Sequence, residues 1–156
     1  MTVQLAIASA IHLLGAIVWV GGMFFAHMAL RPAANALLQP AQRLPLMLRV
    51  FERFFPWVWA SVATLLASGF WIFFGVLMRK AGLYVHLMMG LGLIMSALFV
   101  FLWISPYQRM RRAVGNGDLG QAAAQLARIR RVIATNLVLG ILVAVLAASR
   151  WPIAMS

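Results

Sequence analysis

The sequence predicts an all-α integral membrane protein, an antiparallel four-helix bundle, and three observations point there. Of 156 residues, 65% are hydrophobic and 10% charged, too little polar surface for a soluble domain of this length. Four apolar stretches, 4–28, 56–78, 82–105 and 131–150, each reach the roughly 20 residues that cross a bilayer. The links between them are short or rich in turn signals, which favours antiparallel neighbours. No internal repeat or low-complexity segment interrupts the chain, so 1–156 reads as a single transmembrane domain.

The first stretch has no basic residue before it and is too long for the apolar core of a secretory leader, so it reads as a span. Pro32, Pro40 and Pro45 punctuate the loop that follows. "LPLMLRVFERFFPW" (44–57) then repeats Leu46, Val50 and Phe54 at intervals of four, with Arg49, Glu52 and Arg53 between them. That pattern predicts a short amphipathic helix at the membrane interface. Pro56 marks a kink or a fresh start for the second span. A tight turn at Arg79-Lys80 leads to the third span, and "GNGD" (115–118) is a strong turn signal with Asp118 placed to cap the next helix. No proline follows Leu119 until Pro152, so the fourth helix is expected to begin with an arginine-bearing extension outside the membrane. Trp57, Trp59, Trp103 and Trp151 fall near span ends, as an interfacial belt would have them. Gly15, Gly21, Gly22, Gly82, Gly90, Gly92 and Gly140 supply small surfaces for close helix contacts.

The net charge of +11 is unevenly placed. Arg31, Arg43, Arg49 and Arg53 lie between the first two spans; Arg109, Arg111, Arg112, Arg128, Arg130 and Arg131 lie between the last two or at the start of the fourth. The opposite side holds Arg79, Lys80 and Arg150. The positive-inside rule then puts the first and third loops in the cytoplasm and both termini outside, which for a bacterial inner membrane is the periplasm. Basic loops of this kind meet anionic lipid headgroups. No nucleic-acid-binding motif accompanies them, and the lipid bilayer is the expected partner.

The chain has no cysteine, which excludes disulfides, thiolate metal sites and covalent haem attachment. Its two acids, Glu52 and Asp118, lie outside the apolar stretches. Ion-coupled transport, which places carboxylates at membrane depth, and Ser-His-Asp hydrolysis both lose their residues. Three histidines remain. His12 lies eight residues past Gln4 and His86 four past Gly82, so they sit about 12 Å and about 6 Å into their helices from the same side. His27 is a further fifteen residues along the first helix, about 22 Å away, and shares no ligand with His12.

The row from His12 holds Ala8, Gly15, Trp19 and Gly22; that from His86 holds Gly82, Met89, Gly90, Leu93 and Ala97. Small neighbours such as Gly15 and Gly90 leave room for a flat porphyrin, and bundle interiors commonly hold such groups. The expectation is haem b, iron protoporphyrin IX bound non-covalently, with His12 and His86 as axial ligands and Arg79, Lys80 and Arg150 near its propionates. Two imidazoles fill both axial positions, which favours electron transfer with a quinone or another redox partner. Ordinary glycine packing with structural histidines in a non-catalytic subunit is the plain alternative, and a homo-oligomer fits either. The ten methionines raise a copper alternative, since thioether and imidazole suit Cu(I). Met23, His27 and Met28 form one candidate cluster, and Met88 and Met89 flank His86.

"HLLGAIVWVGGMFF…LRP" (12–32) resembles the first span of the CopD family, in which a histidine precedes a W-x-G-G signature. Tyr84-Val85-His86 and "ARIRRVIATNLVLG" (127–140) resemble the short, four-span members. The resemblance implies copper uptake or resistance, or, through the wider superfamily, the haem-associated protoporphyrinogen oxidase of the HemJ type. It also implies ligand roles for His12 and His86. The oxidase type carries a lysine on its third helix, and 82–105 contains none.

Overall fold

The computed structural model describes residues 3–77 and 82–149. These form four long apolar helical rods, Val3–Leu37, Pro40–Gly75, Leu83–Gly115 and Leu119–Ser149, each long and apolar enough to cross a membrane. Helix α1 (Val3–Phe25) passes through a widened π-helical turn, Ala26–Leu30, into α2 (Arg31–Leu37). Of two further such turns, Phe73–Leu77 ends the second rod without a proline, and Trp103–Tyr107 joins α4 (Leu83–Leu102) to α5 (Gln108–Gly115). The turns Ala26–Leu30 and Trp103–Tyr107 lie at a proline, Pro32 just beyond the former and Pro106 within the latter. A proline removes a backbone donor and crowds the carbonyl four residues back, and a wider turn relieves that crowding.

The second rod differs from expectation. The amphipathic segment around 46–54 is no separate interfacial helix but part of α3, which runs unbroken from Pro40 to Ile72 with Pro45 and Pro56 inside it. Pro40 opens α3 at its first turn, where a missing N–H costs nothing, after Gln39 in extended conformation. The buried stripe of α3 is Leu44, Met47, Phe51, Phe55, Val58 and Val62, spaced by threes and fours, whereas Leu46 is exposed. The row Leu46, Val50 and Phe54, read as the apolar face of an interfacial helix, lies beside this buried stripe. In a membrane helix the lipid-facing side is also apolar, so periodicity alone does not say which side is buried.

The turn before α6 (Leu119–Ser149) forms as its residues demand. Gly117 takes a left-handed φ of 73°, a conformation glycine adopts without steric penalty. Asp118 accepts a hydrogen bond from the Gln121 N–H at 2.8 Å, capping the new helix. The long, arginine-bearing lead of α6 is as expected.

Helix α1 packs along α3 and α6, and α4 packs along α6. The first and third rods thus stand diagonally, meeting where the Trp19 and Phe99 rings lie 6.3 Å apart. Glycine lets the helices approach. A Cβ on Gly140 would lie 2.8 Å from Val20 and 3.2 Å from Met95, and the Phe54 ring occupies the space a Cβ on Gly22 would need. Around Phe55 an aromatic cluster gathers Phe51, Phe99, Trp103 and Tyr107 at centroid distances of 4.9–5.8 Å. Trp59 and Trp103 form this cluster's edge.

Candidate functional site

His12 lies half-buried on the face of α1 that also carries the buried Gly15, Trp19 and Met23, as its row predicts. Its neighbour is α3. The Ser68 hydroxyl donates to the Thr64 carbonyl at 2.6 Å, as serines in helix interiors often do. A hydroxyl has one proton, so Ser68 Oγ can only accept from His12 Nδ1, 2.8 Å away. With Ser68 donating to Thr64, the matching tautomer carries its hydrogen on Nδ1 and keeps a lone pair on Nε2. Such an arrangement, one ring nitrogen anchored and the other free, is how proteins present histidine to a metal. Gly69 keeps the ring close, since a Cβ there would sit 3.4 Å from His12 Cε1.

His86 reaches the same tautomer by a different route. Its Nδ1 lies 3.2 Å from the Gly82 carbonyl, which only accepts, so Nε2 is again left free. The ring stands edge-on to Phe73, with centroids 5.2 Å apart. Its direction departs from expectation. The inward residues of α4 are Met95, Ser96, Phe99 and Leu102, while His86, Leu93 and Ala97 are exposed. His86 is nine residues from Met95, about two and a half turns, and so lies on another side of α4, against the second rod at Phe73, one turn beyond the Gly69 that His12 meets.

Gly15 is likewise turned to α3: a Cβ there would meet Leu65 at 3.2 Å and the Ser61 carbonyl at 3.4 Å, so its surface is filled by helix packing. Gly90 has open space around it. Arg79, Lys80 and Arg150 lie outside the described residues. Within the candidate inner cluster, Met23 is buried and Met28 exposed, while His27 lines a cavity beside Arg31, Arg43 and Arg130. These three side chains meet different surroundings, and the arginines oppose a cation. No group of three or more His, Cys, Asp or Glu side chains converges among the described residues.

The end of the bundle that holds His12 and His86 has no fully buried side chain among the described residues. No residue within 3–14, 69–75, 82–94 or 141–149 is buried. Polar side chains that sequence reasoning passed over lie deeper. Asn136, buried on α6, donates to the Met95 carbonyl at 3.1 Å and ties α6 to α4, and Ser68 anchors His12. Both are small polar residues in apolar runs, and in lipid such residues are costly unless they bond across helices. That signal was available in the sequence.

A family model described as copper resistance protein D matches residues 48–150. The match takes in Tyr84-Val85-His86 and the arginine-rich lead of the last helix, and the motif at 12–32 precedes it. No curated protein and no solved structure matches the chain.

Proposed function

The chain belongs to the CopD family, and on that premise we propose that it handles copper within the membrane, with His12 as a nitrogen ligand. The observation that carries the reading is the His12–Ser68 hydrogen bond through Nδ1, with no hydrogen bond to Nε2 among the described residues. The donor types suit a soft cation: ten methionines and three histidines, with no cysteine. His86 with Met89, one turn further along α4, is a second imidazole–thioether pair on the same helix. Copper here is cargo. Its residence in the chain is transient, which suits a site of few ligands better than a closed cage. The arginine distribution supports a multi-pass inner-membrane protein with the histidine end toward the periplasm.

The second reading is haem b held by His12 and His86 for electron transfer, favoured by the two Nε2 atoms that have no partner among the described residues. Purified protein, assayed for bound metals and by visible absorption before and after dithionite, separates the readings. Copper in the protein with no Soret band is the expected result. Sharp reduced α and β bands with iron and no copper would overturn the copper reading in favour of haem.

A further inference from the structure

At the other end of the bundle, Arg31 from α2, Arg43 from the first turn of α3 and Arg130 from α6 line one cavity of about 140 Å³. Arg31, Arg43 and Arg130 come from distant parts of the sequence, so no local charge pattern explains their meeting. The Nε atom of each is buried and without a hydrogen-bond partner among the described residues. The chain's two acidic side chains are engaged elsewhere. Glu52 pairs with Arg49 at 2.8 Å, and Asp118 caps α6. Burial works against the Arg130 charge, and after it so do the charges of Arg31 and Arg43. Three guanidinium groups held together over an apolar floor of Leu44, Met47 and Leu126 oppose one another unless an anion sits between them.

The shape of the space narrows the anion. Arginine forks match the oxygens of phosphate, two at a time. The cavity is well under the ~300 Å³ at which sites for whole organic ligands begin, so it fits a phosphate group rather than a nucleotide or a porphyrin. Ala26, Phe51 and Ile133 are shared with a neighbouring cavity of about 350 Å³ whose walls are almost entirely apolar, among them Trp19, Leu30 and Phe54. A phosphate-sized cationic pocket adjoining an apolar one has the profile of a phospholipid site. We propose that Arg31, Arg43 and Arg130 form a phosphate-binding site that takes the headgroup of an anionic phospholipid, with an acyl chain in the adjoining apolar cavity.

The test uses the full chain in neutral detergent. Thermal unfolding is followed with added phosphatidylglycerol, with phosphatidylcholine, or with inorganic phosphate, and native mass spectrometry counts the lipids retained. Phosphatidylglycerol should raise the melting temperature and remain bound, phosphatidylcholine should do so at least tenfold less effectively, and inorganic phosphate should add little. Arg43→Gln and Arg130→Gln should abolish the phosphatidylglycerol shift, while Arg109→Gln on the exposed face of α5 should keep it. Without lipid, Arg43→Gln and Arg130→Gln should melt no lower than the wild type, because removing one of three like charges relieves repulsion. A purely structural role for these arginines predicts the reverse, a lower melting point in the absence of lipid, and that result would overturn the site. Equal stabilisation by inorganic phosphate would overturn the lipid as the source. None of these outcomes depends on copper or haem, so the proposal and the functional reading fail separately.

Discussion

Between Leu44 and Val62 of α3 the core face is closed: Leu44, Phe51, Phe55 and Val58 are each at most 2% exposed, and Met110 and Ile129 pack there with no exposure at all. Beyond Ser68, on the same helix, no described residue is buried. The buried core is thus concentrated toward the arginine end, and the described residues of the histidine end are at most partly buried. The two ends also differ in chemistry. One presents imidazole lone pairs without a nearby carboxylate, the other three guanidinium charges around a small cavity. Rigidity and positive charge are concentrated where a loop-side anion would sit, and neutral soft donors where burial is partial. A bundle divided in this way can hold a cation ligand at one end and an anionic headgroup at the other with no conflict between them.

The largest difference between the ends should appear in stability. Phe55→Ala removes the centre of the aromatic cluster and is expected to cost about 3–5 kcal/mol, read as a fall in the melting temperature in detergent. Leu14→Ala at the histidine end deletes a mostly exposed side chain and should cost under about 1 kcal/mol. Equal losses would mean that the histidine end is packed against something as firmly as the arginine end. Next in size is Gly140→Val, which drives a side chain into Val20 and Met95 and should destabilise by about 1–3 kcal/mol through overpacking.

Much of this was legible in the sequence. The four spans, the GNGD turn, the Asp118 cap and the shared face of His12, Gly15 and Trp19 all follow from local patterns that the structure repeats. What was not legible is which side of an apolar helix faces protein. His86 was placed toward the bundle interior by spacing and is exposed, and the apolar row Leu46–Val50–Phe54 lies beside the buried stripe rather than on it. Lipid and core are equally apolar, so the contrast that periodicity reads in a soluble helix is missing. The convergence of Arg31, Arg43 and Arg130 was hidden for another reason. The bends at the Ala26–Leu30 turn and at Pro40 set their directions, and no sequence spacing records them.

Orientation is tested by reporters. A fusion near Gly117 should be active in the cytoplasm, and one at the C-terminus outside it. The reverse pattern would exchange the ends of the bundle between the two sides of the membrane. Smaller effects sharpen the chemistry. Ser68→Ala removes the acceptor that fixes the His12 tautomer and should lower copper affinity about 10–100-fold, the usual scale for a lost ligand-orienting bond. Its melting temperature should change little beside Phe55→Ala. His27→Ala should leave copper affinity within about twofold of the wild type, because its ring lines the arginine cavity, about 22 Å along the helix from His12.

The most direct measurement is the Cu(I) affinity of the purified wild type, His12→Ala and His27→Ala, determined by competition with a chromophoric chelator in the same detergent. With His12 as a ligand, the His12→Ala protein should bind Cu(I) at least tenfold more weakly while His27→Ala remains at the wild-type value. Wild-type affinity in His12→Ala, with a melting temperature showing that the variant is folded, would contradict the ligand role and leave the His12–Ser68 bond as a helix-packing contact.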